Sequence, residues 1–449
     1  MTKQHTRERH PVVESFLYEV TSYIRAREWH RDIRDELSDH LEDSADEAQS
    51  NDSSLSRDEA YRLAVAQMGA ASEVGKRFDR IHRPRTDWVL LGLLGLLLGA
   101  SFLLMYSMDR TLMIRSSVYP FDLFEKKLVY SGVGLLLLLA IRLFDYRKLL
   151  AYSNWIYGFT LVMMLITLST GRYVNGSRHD INLFGIQVDV LNISPYALIV
   201  SLCGVLILRA SDTTWWKMWL IYVIPPLVFY AIEPYRPMLL FYFLAALVLF
   251  LVTYKSWVLR IGVPLLHLGA LVVFAMNHHY WDMRIKSFFD PGSDPNGIGY
   301  MAIQTLKTLR EAGWFGQGIG QSNMTVPNLY SDMMFTYIVF TFGWAGGVAL
   351  VWVVAAFLLR IVQASSRVLD PYGKQLIIGL SVLLGMQFIW SIGMAVGLLP
   401  IISVQLPLVA NGGSSQLTCL ALLGLIMSIY RRKDMIRSHR QQSMHPARK

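Results

Sequence analysis

Uncharged runs of membrane-spanning length constrain this chain more than anything else in it. Residues 88–108 and 238–254 contain no Asp, Glu, Lys or Arg, and a helix needs roughly 20 apolar residues to cross the hydrocarbon core. The 449 residues are 53% hydrophobic and 17% charged, whereas soluble domains carry about 25% charged residues. A polytopic, all-α membrane protein follows. About ten spans are expected, near 88–108, 128–145, 150–169, 195–210, 215–233, 237–254, 257–276, 333–362, 373–398 and 411–430.

Basic residues orient the spans. The end of the chain, RRKDMIRSHRQQSMHPARK, has seven Lys and Arg and one acid, which the positive-inside rule places in the cytoplasm. Arg142, Arg147 and Lys148, and Arg360, Arg367 and Lys374, fall in short segments that agree with this orientation. Ten spans then put both termini inside, and the long hydrophilic stretch 277–332, between spans 7 and 8, outside. Cys203 and Cys419 both lie in apolar spans and read as small packing residues.

The domain organisation expected is a cytoplasmic helical prefix over 1–87, a transmembrane domain over 88–432 and a basic tail over 433–449. The prefix holds 14 basic and 18 acidic residues, 14 − 18 = −4, which leaves +13 of the net +9 for the remainder. A basic membrane portion suits anionic or phosphorylated lipids, and no nucleic-acid motif is present. Within the prefix, Phe16, Val20 and Ile24 form one helical stripe and Ile33, Leu37 and Leu41 another. Ser56 and Glu59 have the spacing of a capping box, whose helix carries Leu63, Ala64 and Met68 and stops at Gly69.

The 277–332 stretch holds most of the residues equipped for chemistry. Asp332, in VPNLYSDMMF at the mouth of the eighth span, is an ionisable group at a membrane boundary. Such groups are costly unless they face water or a partner, although Asp also suits a helix start. Asp290 and Asp294 sit in DPGSDPNG, whose two Asp-Pro pairs and glycines describe a rigid turn better than an acid–base pair. The segment 300–310 reads as a short helix presenting Gln304, Lys307 and Arg310, of which the two cations are candidates for an anionic headgroup beside the solvated alternative. Adjacent His278 and His279 do not share a helical face, so they do not make a metal pair. GQGIG at 316–320 follows no strand and reads as a tight turn rather than a nucleotide loop. Near the end, Pro400, Pro407 and the Gly412-Gly413-Ser414-Ser415 cluster interrupt an apolar region. Irregular backbone at membrane depth must be buried in protein or line a cavity, so a re-entrant loop beside a lipid or substrate cavity is expected.

Taken in order, YWDMR at 280–284, DPGSDPNGIGY, GWFGQGIG, VPNLYSDMMF, GMAVGLLP and LPLVANGGSS resemble the SEDS family, which includes RodA, FtsW and SpoVE. The similarity runs through 88–432. It implies a peptidoglycan glycosyltransferase that polymerises lipid II at the outer face of the bacterial cytoplasmic membrane, with a class B penicillin-binding protein as partner, in elongation, division or sporulation. The family's essential aspartate matches Asp332 as candidate general base, and its arginine after the third span matches Arg178. Arg284 matches the basic residue before the DP loop. The departing diphosphate would be stabilised by Arg178, Arg310 or a divalent cation (Mg or Mn) held partly by Asp332. The prefix, through RDELSDHLEDSADEA and DEAYRLAVAQMGAASEVGKRF, is similar to the small helical domains called permease prefix or HAAS domains, which implies docking or regulation.

At three places where the resemblance implies carboxylates, this sequence departs from the family. Pro-Ser-Glu is replaced around Ser194-Pro195-Tyr196, Gln-Pro-Asp by Glu233-Pro234-Tyr235, and the Glu-Glu pair of the eighth span by Phe340-Thr341. This describes a divergent member. Two other functions fit ten spans and a basic outer surface: a flippase for lipid-linked precursors, and a catalytically weak scaffold for cell-wall enzymes.

Overall fold

The computed structural model describes residues 10–25, 30–52, 54–82, 86–115, 122–174, 177–183, 186–209, 215–232, 236–276, 279–321 and 326–433. The chain divides into two compact units, one built from the N-terminal segment up to Thr86 together with the chain end from Arg431, the other from Asp87 to Tyr430.

The first unit packs α1 (Pro11–Ser22), α2 (His30–Asn51), α3 (Arg57–Met68) and α4 (Ala71–His82) around a separate core. Both predicted stripes, Phe16, Val20 and Ile24 with Ile33, Leu37 and Leu41, are buried in it. The capping box forms: Ser56 Oγ accepts from Glu59 N–H, and the Glu59 carboxylate accepts from Ser56 N–H at 3.0 Å. Gly69, with φ +89°, ends α3. Leu63 is exposed on α3, which buries Ala60, Tyr61 and Ala64.

In the second unit each of the ten apolar stretches is helical. The helices are α5 (Trp88–Arg115), α6 (Leu123–Leu143), the short α7 (Lys148–Ala151), α8 (Ser153–Thr170), α9 (Val190–Arg209), α10 (Trp215–Tyr222), α11 (Ile224–Ile232), α12 (Arg236–Thr253), α13 (Trp257–Met276), α14 (His279–Phe289), α15 (Tyr300–Ala312), α16 (Met334–Ser366), α17 (Pro371–Ala395) and α18 (Gly413–Arg431). Among the described residues, six spans are long and apolar enough to cross a membrane by length and composition, with α10 and α11 together making one. Within α12 and α13 the apolar helices are shorter, Leu240–Thr253 and Trp257–Ala270. The first turns of α6 are charged by Glu125, Lys126 and Lys127. One expected span is thus broken: Val223 separates α10 from α11, just before Pro225-Pro226, where missing amides and fixed φ disrupt the helical ladder.

The central helix is α17, packed against α9, α12 and α16. Its start is written locally: Asp370 accepts from Gly373 N–H at 2.9 Å, Pro371 occupies the first position, and Tyr146 Oη donates to the same carboxylate at 2.9 Å. Gly379 lies where a Cβ would strike Ile199 and Leu249, so its lack of a side chain lets α9 and α12 approach. At one end of α5 the carboxylate of Asp87 caps Leu90 N–H at 3.1 Å and meets Arg360 of α16 at 2.8 Å. At the other end Ser107 Oγ and Tyr337 Oη are 2.7 Å apart. These two ties hold α5 and α16 side by side and antiparallel.

Two features fall outside the helical reading. Between α8 and α9 lies a three-stranded antiparallel meander, β1 (Arg172–Val174), β2 (Ser177–Leu183) and β3 (Ile186–Asp189). Asp189 closes it by accepting from Asn192 N–H at 2.9 Å, in the first turn of α9. The second feature is a break inside α16 at Gly343, with φ 73° and ψ −177°. The part beyond it, 344–366, is about 34 Å long at 1.5 Å per residue and spans a bilayer by itself.

Candidate active site

Asp332 closes a turn, 326–333, that feeds directly into α16. The turn is tight because Asn328 takes φ 56°, a conformation Asn tolerates better than most residues, and its carbonyl accepts from Ser331 and Met333 N–H at 3.1 Å each. Asp332 is partly buried, and its Oδ2 accepts from Ser403 Oγ at 2.8 Å. Burial pushes the Asp332 carboxyl above the ordinary aspartate range, and the Ser403 hydroxyl pulls in the opposite direction. A carboxylate of this kind is a better proton acceptor near neutral pH than an exposed one.

Ser403 belongs to the irregular stretch between α17 and α18, where the sequence predicts a re-entrant loop. Apolar side chains here are buried, among them Ile402, Val404, Leu406 and Val409. The stretch is joined to the Asp332 turn a second time, by Asn411 N–H donating to Tyr330 C=O at 2.9 Å. A Cβ would meet the movable amide end of Gln405 at Gly412 and the Tyr130 ring at Gly413. Ser414, in the first turn of α18, lines a cavity of about 530 Å³ between α6, α9 and α18. Its other walls are almost wholly apolar, including Leu137, Ile141, Tyr196, Val200 and Leu422. Tyr196, where the resemblance leads one to expect a carboxylate, is buried in this wall.

The other candidates are placed as follows. Arg178 lies in β2, opposite Tyr173 in the ladder; its side chain is outside the described residues, as are Glu233-Pro234-Tyr235 and His278. Arg284, on α14, lines a small cavity of about 60 Å³ with Ser287, Thr305 of α15 and Gly397 beyond α17. The predicted short helix is α15. Lys307 and Arg310 are exposed on it and Gln304 is half-buried. Asp294 accepts from Gly297 N–H at 3.0 Å and Ile298 N–H at 3.2 Å, and Asp290 C=O accepts from Ser293 Oγ at 2.7 Å, so this pair organises the turn before α15. Phe340 and Thr341, in place of the Glu pair, are buried, and their carbonyls receive Gln317 and Gly318 N–H at 2.8 and 3.1 Å.

Among the described residues no group of three His, Cys, Asp or Glu side chains is placed to hold a metal. Asp332 and Ser403 offer a carboxylate and a hydroxyl. That set fits Mg²⁺ only in the manner of an ion that keeps waters and shares substrate phosphates, since all-protein cages need more ligands.

Sequence reasoning missed Ser403. It lies 71 residues from Asp332 in the chain, and a lone serine in an apolar loop carries no local signal.

These elements define a multi-pass helical membrane protein with one partly buried carboxylate where a long polar loop enters a span. A family model for cell cycle proteins of the FtsW, RodA and SpoVE type matches residues 87–435. The chain belongs to that family. It is 27% identical over 358 residues to the "probable peptidoglycan glycosyltransferase FtsW" of Coxiella burnetii, covering 76% of this chain and 95% of the relative. It is 23% identical over 354 residues to stage V sporulation protein E of Bacillus subtilis, covering 77% and 97%. Among solved structures, a chain described in the structural coordination of polymerization and crosslinking by a peptidoglycan synthase complex superposes with a TM-score of 0.65 at 24% identity, over 78% of this chain and 99% of that one. The Thermus thermophilus rod shape determining protein RodA gives a TM-score of 0.59 at 21% identity, over 78% and 97%.

Proposed function

We propose that this protein is a peptidoglycan glycosyltransferase that polymerises lipid II, with Asp332 as general base. The observation that carries this reading is the half-buried Asp332 carboxylate, held by Ser403 at the entrance of α16 in a chain of this family. In the reaction, an acceptor sugar hydroxyl attacks the anomeric carbon of a second lipid-linked sugar. The new C–O bond forms as the bond to the diphosphate oxygen breaks, the lipid diphosphate leaves with the electron pair, and the hydroxyl proton passes to Asp332. Arg178, Arg284, Lys307, Arg310 and Gln304 are the groups that would bind the substrate, the cations balancing the diphosphate. A bound divalent cation would add charge neutralisation at the same oxygens. The lysine and arginine bias places the site on the outer face of the bacterial cytoplasmic membrane with both termini inside.

The names of the relatives point to division or sporulation. The likeness to a chain of a peptidoglycan synthase complex supports a class B penicillin-binding protein as partner. The prefix domain is assigned a docking role. A flippase would use the apolar cavity lined by Tyr196, and purified protein in vesicles would then move labelled lipid II across the bilayer.

The deciding experiment is lipid II polymerisation by the purified protein, alone and with class B partners. Wild type should make glycan chains, and Asp332→Asn should lower the rate by about 10²- to 10⁴-fold, the usual range for loss of a general base. Equal product from both would remove Asp332 from the chemistry.

A further inference from the structure

Lys127, in the second turn of α6, is 1% exposed and has no carboxylate partner among the described residues. A buried ammonium is costly unless its protons are all satisfied. Lys127 Nζ donates to Leu408 C=O at 3.0 Å, to Ala410 C=O at 2.7 Å and to Gln416 Oε1 at 2.9 Å, three acceptors for three protons. Gln416 Nε2 donates in turn to Ser131 Oγ at 3.2 Å, one turn along α6. The backbone gripped here is unusual. Leu408 has φ 65°, a region that side chains larger than Gly or Asn rarely enter, and such a residue persists only when its surroundings hold it there. Ser101 Oγ of α5 adds a bond to the intervening carbonyl of Val409 at 2.8 Å. Three successive carbonyls, 408 to 410, are thereby fixed by side chains of α5 and α6. The same segment reaches the Asp332 turn through Ser403 and Asn411.

We propose that Lys127 is a positioning residue for the Asp332 site: it fixes the 401–412 segment so that Ser403 and Asn411 hold the 326–333 turn in register. The role rests on the glycosyltransferase reading for its catalytic consequence, but its structural half does not. A methionine would fill the same space without a buried charge, but it would leave three buried acceptors without their donor. The lysine supplies what an apolar residue cannot, namely donors for carbonyls that a proline-interrupted backbone leaves unpaired.

The test compares wild type, Lys127→Met and Lys127→Arg in the full chain. Hydrogen–deuterium exchange should rise in 401–412 and in 326–333 for Lys127→Met, while other helices keep their protection. In lipid II polymerisation kcat should fall by about 10- to 100-fold, the scale of a misplaced catalytic group, with KM within about twofold. Lys127→Arg, which keeps charge and donors, should recover part of both. Unchanged exchange in the two segments overturns the proposal whatever the activity does. So does a loss of KM alone. Should Lys127→Met yield little folded protein, Gln416→Met and Ser101→Ala each remove one tie and are expected to raise exchange in the same two segments; neither doing so overturns it as well. Inactive wild type would count against the glycosyltransferase reading, and the exchange measurement would still decide the role of Lys127.

Discussion

Two irregular stretches flank the site, and they secure their backbones in opposite ways. The 313–320 turn is joined to the break in α16 by backbone alone: Gln317 and Gly318 N–H donate to Phe340 and Thr341 C=O, while Trp344 and Ala345 N–H donate to Gly313 and Trp314 C=O at 3.0 and 3.1 Å. The groups that a kinked helix loses are returned by the turn. The 401–412 segment relies mainly on side chains, those of Lys127, which Gln416 steadies, of Ser101, and of Ser403 with Asp332, beside the one backbone bond from Asn411 to Tyr330. A backbone-to-backbone splice depends on shape, so it is sensitive to any added atom and indifferent to most side chains. A side-chain clamp has the reverse sensitivities.

Gly343→Val should produce the largest effect. At φ 73° a Cβ would press on the carbonyl of Trp314, and strain plus a lost splice should cost about 3 kcal/mol. Thermal or denaturant unfolding of the purified protein measures this, and a stability equal to wild type would break the contrast at its strongest point. Asp332 tests the clamp through pH. Its carboxyl is raised in the folded state by burial, so folding favours the protonated acid. That contribution is complete below the unfolded value and is lost as pH rises through the folded one. Asp332→Asn avoids the loss, so its unfolding temperature should exceed that of wild type at neutral pH and approach it toward low pH. Parallel curves at every pH would contradict this.

Smaller effects sharpen the comparison. Gly412→Ala meets only the far end of the Gln405 side chain, which can swing aside, so about 1 kcal/mol or less is expected. Gln317→Ala should stay within about 0.5 kcal/mol by the same unfolding measurement, because its side chain is exposed and the splice uses only its amide.

The same contrast explains what the sequence could convey. Periodicity and caps are local, so each apolar stretch became a helix, the stripes through Val20 and Leu37 became core, and Ser56 and Asp370 were found at helix starts. The glycines at 316, 318 and 320, all with positive φ, were legible as a turn. That this turn repairs a break at Gly343 was not, because the two are far apart in the chain and a single glycine in an apolar run has many uses. Lys127 reads locally as an interfacial cation, and only acceptors 281 to 289 residues away make it a buried one. The meander was the avoidable miss. Its first two strands flank Asn175-Gly176, a dipeptide that strongly favours hairpins, yet helical runs on both sides drew the reading toward α.

The splice at Gly343 also has a mechanical meaning. Four bonds straddle the break in both directions along the helix, so α16 cannot rotate about its axis or slip by one residue without parting all of them together. Helix and turn therefore share a single set of rigid-body motions. Trp314 and Phe315 belong to that turn and are 71% and 88% exposed. A load on those two rings is therefore borne by the helix as well as by the turn.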